Sequence, residues 1–137
     1  MKLIVGVKGT GKTKALIDEV NRAAKESDGV VICIEYGRKL SFDIHYHARL
    51  VDAKEYNIAS AEALYGFVCG MLAGNYDITE LFIDSALKIC GNNVEEFEKF
   101  VVDIEKIASA HNVKIAITAS VEPSALSDKV SGWIGRF

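Results

Sequence analysis

The chain has 137 residues, 16 Lys and Arg against 19 Asp and Glu, a formal net charge of −3 and 50% hydrophobic residues. A chain of that size and make-up reads as one globular domain, 1–137, with no bulk electrostatic push toward nucleic acid or an anionic membrane. No apolar run approaches the roughly 18–20 residues of a membrane span, and the opening MKLIVGV is too short for a secretory leader, so a cytoplasmic location is expected.

Taken in chain order, LIVGV (3–7) is the first strand candidate, and GVKGTGKT (6–13) follows directly. Residues 12–26 then repeat apolar side chains at helical spacing: Leu16, Val20, Ala23 and Ala24. VVICIE (30–35) is a second continuous apolar run. LSFDIHYHARLV (40–51) alternates instead, with Leu40, Phe42, Ile44, Tyr46, Ala48 and Leu50 on one side. Such period-two patterning predicts an edge strand or a hairpin, and allows it to run antiparallel to its neighbour. Residues 60–73 read as a helix through Leu64, Tyr65, Val68 and Leu72, with Ser60 as its cap. LFID (81–84) is a third buried strand. A helix over 94–111 follows through Phe97, Val101, Ile104 and Ala108, with Asn93 and Glu96 as a capping pair. IAIT (115–118) is the fourth strand. In the tail, PSALSDKV reads as a short helix, with Trp133 and Phe137 packing onto the body. Continuous β-branched strands alternating with helices predict an α/β fold: a three-layer sandwich around a mostly parallel sheet.

Cys33, Cys69 and Cys90 form no CxxC pair, so they read as buried reduced thiols rather than a zinc or redox site. Asp43, His45 and His47 share one face of the alternating stretch. That spacing can bind a borderline metal, but no further ligand is evident, and a polar edge face that discourages edge pairing is the favoured reading.

The chemistry sits in GVKGTGKT. Glycines let a backbone approach a polyphosphate closely, and the free amides that open the following helix bind anionic oxygen. Lys8, Gly9, Thr10, Gly11, Lys12, Thr13 and Lys14 are therefore candidate nucleotide-binding residues. Lys12 is placed to reach the β- and γ-phosphates and Thr13 to ligate Mg2+.

The segment carries G-x-x-x-x-G-K-[ST] in full, and on it the chain resembles the P-loop NTPase superfamily through the Walker A pattern. ELFIDSA (80–86) resembles the Walker B strand of that superfamily, which implies that Asp84 joins Thr13 at the metal. The resemblance implies ATP and Mg2+ as ligands, with Lys12 stabilising charge in the transition state. Many relatives follow the Walker B aspartate with a catalytic glutamate; Ser85 stands there in this chain. Glu35, at the end of the second strand, is the candidate replacement base, with Glu122 behind it. The IAITASVEP segment resembles a sensor strand, which makes Thr118 or Ser120 a candidate contact to the γ-phosphate or to water. Arg38, Arg49 and Arg136 are candidate arginine fingers. An intervening strand between the glycine loop and the acid-bearing strand resembles the RecA-like and thymidine-kinase-like branches. No N-K-x-D base-reading motif is present, which favours ATP over GTP.

Three functions follow as expectations. The first is ATP binding with hydrolysis of the β–γ bond. The second is a nucleotide-dependent switch or assembly subunit, a homo-oligomer or the partner of another protein, in which the loop over 36–45 answers the γ-phosphate. The third is an ATPase attached to a motor or DNA-handling complex.

Overall fold

The computed structural model describes residues 1–135. Strand β1 (Lys2–Gly6) leads into α1 (Lys12–Glu26), then β2 (Val30–Glu35) and β3 (Ala48–Asp52). After a 3-10 turn at Ala53–Tyr56 come α2 (Ala61–Gly74), β4 (Ile78–Ile83), the one-turn α3 (Ala86–Ile89), α4 (Val94–Ala110) and β5 (Lys114–Ser120). A second 3-10 turn, Pro123–Ala125, precedes α5 (Asp128–Ser131).

All five strands run parallel, in the spatial order β1-β5-β4-β2-β3. Successive side chains of a strand alternate between faces, and here both faces are covered. Ile4, Val31, Cys33, Phe82 and Ala116 meet Leu16, Val20 and Ala23 of α1. Leu3, Val5, Ile32, Ile34, Leu81, Ile83, Ile115 and Ile117 face the other way, against Leu64, Val68 and Leu72 of α2 and Phe97, Val101 and Ile104 of α4. Burial on both sides is why the strands read as unbroken apolar runs. Each fully buried Leu or Ile contributes about 1.5–3 kcal/mol against the entropy of ordering it. The result is a three-layer α/β sandwich.

Both expected N-caps are present, although only the Asn93 half of the Asn93–Glu96 pair forms. Ser60 Oγ accepts a bond from Ala63 N (3.1 Å) at the start of α2, and Asn93 Oδ1 accepts one from Glu96 N (3.0 Å) at the start of α4. The tail contains a 3-10 turn and α5 rather than one short helix. Trp133 packs partly buried against the core, and its carbonyl accepts the Leu3 amide at 2.8 Å. Arg136 and Phe137 lie outside the described residues.

The reading of 40–51 needs correction. Only residues 48–52 form a strand, and it is parallel to β2, so there is no antiparallel edge or hairpin among the described residues. Residues 40–47 turn because their backbone is bonded elsewhere. Asp43 and Ile44 amides return to the Leu40 carbonyl, at 2.9 and 3.1 Å. Asn21 of α1 clamps the segment from its side, donating to the Asp43 carbonyl (2.8 Å) and accepting the His45 amide (2.7 Å). Leu40 and Ile44 pack under α1 while Phe42 is 100% exposed and Tyr46 83%, so the six alternating residues do not all share a face. The segment returns from the carboxyl end of β2 to the start of β3 as an irregular crossover beside α1. No helix of the described residues is long and apolar enough to cross a membrane.

Candidate functional site

Parallel register brings the polar ends of three strands into one row. Ile34 pairs with Ile83, and Ile83 with Ile117. The next residues, Glu35, Asp84 and Thr118, therefore stand side by side at the carboxyl ends of β2, β4 and β5, with neighbouring strands about 4.8 Å apart. All three fall on the α1 side, because Cys33, Phe82 and Ala116, two residues earlier, do so. Gly6 ends β1 opposite Ser120. Carboxyl ends of parallel strands are where open α/β sheets hold ligands.

The loop from β1 to α1 completes the site. Gly11 caps α1 with φ 85° and no side-chain hydrogen bond, and Gly9 also has φ 85°. That left-handed conformation costs a residue with a Cβ roughly 1–2 kcal/mol. In contrast to α2 and α4, α1 has no side-chain partner for its opening amides, which are left able to receive an anion. Thr10 Oγ1 and Lys12 Nζ both donate to the Val7 carbonyl at 2.8 Å, so Lys12 curls back across its own loop. Only 7% of Lys12 is exposed, and its charge meets a carbonyl rather than a carboxylate.

Between this loop and the row of strand ends lies a cleft of about 430 Å³. Lys8, Gly9, Gly11, Lys12, Thr13 and Lys14 line one side, and Ser85, Thr118 and Ser120 the floor. Lys39, Leu87, Lys88 and Asn92 complete it. Among the described residues, five lysines and no acid face this space, although the whole chain is net negative. Such a cleft concentrates anions.

Asp84 sits just behind the lining, 7% exposed. Its Oδ1 accepts from Thr118 Oγ1 at 2.7 Å and from Thr13 Oγ1 at 3.2 Å, and its Oδ2 accepts from Ser85 Oγ at 3.3 Å. Thr118 Oγ1 in turn accepts the Ser85 amide at 2.8 Å. Ser85 is thereby held at φ 58°, a left-handed conformation uncommon for a residue with a side chain. Thr118 thus touches the carboxylate and a backbone amide, and its one hydroxyl proton is given to Asp84.

Glu35 is equally buried but differently used. Its Oε1 accepts the Lys39 amide (2.8 Å) and the Leu40 amide (3.1 Å), and it does not line the cleft. Glu122 is exposed before the second 3-10 turn, and neither it, Arg38 nor Arg49 lines the cleft. Arg38 lies 4.0 Å from Glu55; Arg136 is outside the described residues. His45 stacks on Tyr46 and His47 meets both edge-on, with ring centres 4.4–4.9 Å apart, and His45 Nδ1 accepts the His47 amide at 3.2 Å. Asp43, His45 and His47 do not gather into a metal-ligating group, nor does any trio of such residues among those described.

All three cysteines are free thiols. Burial raises the Cys33 thiol far above its ordinary range, with Asp84 and then Glu35 adding to the effect. Burial pushes Cys90 up to about 12, with Glu96 contributing. Cys33 and Cys90 therefore stay protonated and serve as small core hydrophobes.

Lys39, Leu87, Lys88 and Asn92 are the cleft residues that the sequence reading passes over. The signal for the two lysines is positional: Lys39 follows shortly after a strand that ends in Glu35, and Lys88 lies one turn after Asp84. Strand carboxyl ends would have drawn attention to both. No family model matches the chain, and no curated protein does.

Proposed function

We propose that the chain binds a nucleoside triphosphate, ATP, with Mg2+ in the lysine-lined cleft, as a P-loop NTPase of the RecA-like or thymidine-kinase-like kind. One observation carries the reading. A glycine loop with an uncapped helix end, a buried lysine, a Thr13–Asp84 oxygen pair and a buried Thr118 all meet at one lysine-lined cleft. Phosphates take the loop amides, Lys12 exchanges its Val7 carbonyl for the β- and γ-oxygens, and the adenosine extends toward the rim. The spatial order supports the branch, since β5 lies between β1 and β4.

The donor set also fits Mg2+. A carboxylate and a hydroxyl are hard oxygen ligands, and Thr13 Oγ1 is already 3.2 Å from Asp84 Oδ1. Magnesium there supplies neutralisation of the phosphate charge. Thr118 and Ser85 keep Asp84 turned toward Thr13.

For the β–γ bond, slow intrinsic turnover follows from the absence of any acid in the cleft lining and from Ser85 after Asp84. Glu35, tied to two amides through Oε1, has only Oε2 left for a water. A switch or assembly subunit, whose partner or second copy supplies the missing base or cation, accordingly fits better than a fast autonomous ATPase. Titration calorimetry with Mg-ATP, beside steady-state phosphate release, tests both parts. Wild type should bind, Lys12→Ala should lose at least about tenfold in affinity, and phosphate release should remain near background in both. Absence of heat and of any thermal shift with purine triphosphates at millimolar level would overturn the nucleotide reading. Rapid turnover by wild type alone would overturn the switch.

A further inference from the structure

The turn after β2 builds one wall of the cleft. Two buried or half-buried acids hold its backbone: Glu35 Oε1 accepts the Lys39 and Leu40 amides, and Asp52 Oδ1 accepts the Gly37 amide at 2.8 Å. Asp52 Oδ1 also accepts the Lys54 amide at 2.9 Å, which fixes it at the end of β3. The turn is thus tied at both ends to strands of the sheet, and from it Lys39 lines the cleft. Among the described residues Lys39 has no ion-pair partner. Tyr36, at the base of the same turn, lies under Lys88, whose Nζ is 5.5 Å from the ring centre and which lines the cleft as well.

Position along the sheet gives the wall its meaning. β2 stands three strands from β1, about 14 Å away, with β4 and its Asp84 in between. A polyphosphate seated on the glycine loop and extending past Asp84 would point its terminal group toward this wall, which lines the same cleft. On the far side of Lys39, Leu40 is buried under α1, and the Asn21 clamp follows at 43–45. Pulling Lys39 inward therefore acts on a continuous backbone that ends at Phe42 and Tyr46, both bare to solvent.

We propose that Lys39, held over the cleft by the Glu35- and Asp52-anchored turn, binds the terminal phosphate and makes the 36–47 segment distinguish triphosphate from diphosphate. This rests on the nucleotide reading above and assigns its specificity and its output. Lys39 then supplies in cis a cation that neither Arg38 nor Arg49 brings to the cleft. Glu35 is a positioning residue for Lys39.

The experiment compares Mg-ATP and Mg-ADP on the full chain, by calorimetry and by amide hydrogen exchange of residues 38–47. In wild type, ATP should bind at least about tenfold more tightly than ADP, the usual strength of one charge-assisted hydrogen bond, and only ATP should slow exchange in 38–47. Lys39→Ala should narrow the ATP to ADP ratio by weakening ATP much more than ADP, and should abolish the exchange difference. Glu35→Gln, which keeps an acceptor for the two amides, should behave nearly as wild type, whereas Glu35→Ala should resemble Lys39→Ala. Lys39→Ala with an unaltered ATP to ADP ratio, or equal protection of 38–47 by both nucleotides in wild type, overturns this proposal and leaves the nucleotide site standing. Failure of wild type to bind either nucleotide overturns both.

Discussion

Asp84 shows how one residue ties the fold to the site. A buried carboxylate costs several kcal/mol unless it is bonded, and here it takes hydroxyls from Thr13, Thr118 and Ser85. Thr118 matters most, since the same oxygen also accepts the Ser85 amide and so keeps that residue in its left-handed conformation. Thr118→Val keeps the shape and removes both bonds. The expected loss is about 1–3 kcal/mol of stability, the cost of stranding buried polar groups. Urea unfolding checks it, and Thr118→Ser should recover most of the difference. A change below about 0.5 kcal/mol for the valine variant would mean that water replaces the hydroxyl and that Asp84 is less dependent on Thr118 than its geometry implies.

At the scale of elements, Gly29 decides how β2 starts. A Cβ there would overlap the Thr79 methyl and the Asp77 carbonyl, and that carbonyl accepts the Val30 amide at 2.7 Å. Gly29→Ala should therefore cost about 1–3 kcal/mol through overpacking, read as a lowered urea midpoint. Adding Thr79→Ser removes the methyl clash alone, so the double variant should recover only part; full recovery would show that the Asp77 backbone gives way easily. Contacts of this kind are invisible in a linear chain, which is why Gly29 drew no notice there. What is legible has a local cause. The unbroken run VVICIE predicts β2 because both its faces are covered, and Ser60 and Asn93 mark helix starts because capping is a matter of three residues. The 40–51 stretch misleads for the opposite reason. Its alternation is real, yet Asn21, far upstream, takes the backbone bonds that a strand would need. Lys12, Thr13 and Asp84 are legible as a set of candidates through spacing and strand ends. Glu35 is legible as an acid at a strand end, but its burial, its two amide partners and hence its part in holding Lys39 depend on a turn that the sequence does not draw.

Over the whole molecule, charge is distributed against its own average. The chain is net negative, yet Lys8, Lys12, Lys14, Lys39 and Lys88 face one cleft with no acid in its lining. A polyanion small enough to enter is attracted locally, while a long polyanion such as nucleic acid meets the negative remainder as well. This contrast makes ionic strength a probe of the site. The screening length shrinks from about 10 Å at 0.1 M salt to about 3 Å at 1 M, so the outer lysines lose their reach while the loop amides and the buried Lys12 keep theirs. Affinity for Mg-ATP should accordingly fall by roughly tenfold or less across that range, mainly through a slower association rate, whereas adenosine, which carries no phosphate, should show no salt dependence. Stopped-flow titrations with a fluorescent ATP analogue at several salt concentrations separate the two rates. If association is salt-independent, the cleft lysines are screened or turned outward in solution, and the pull on the triphosphate comes from the glycine loop alone.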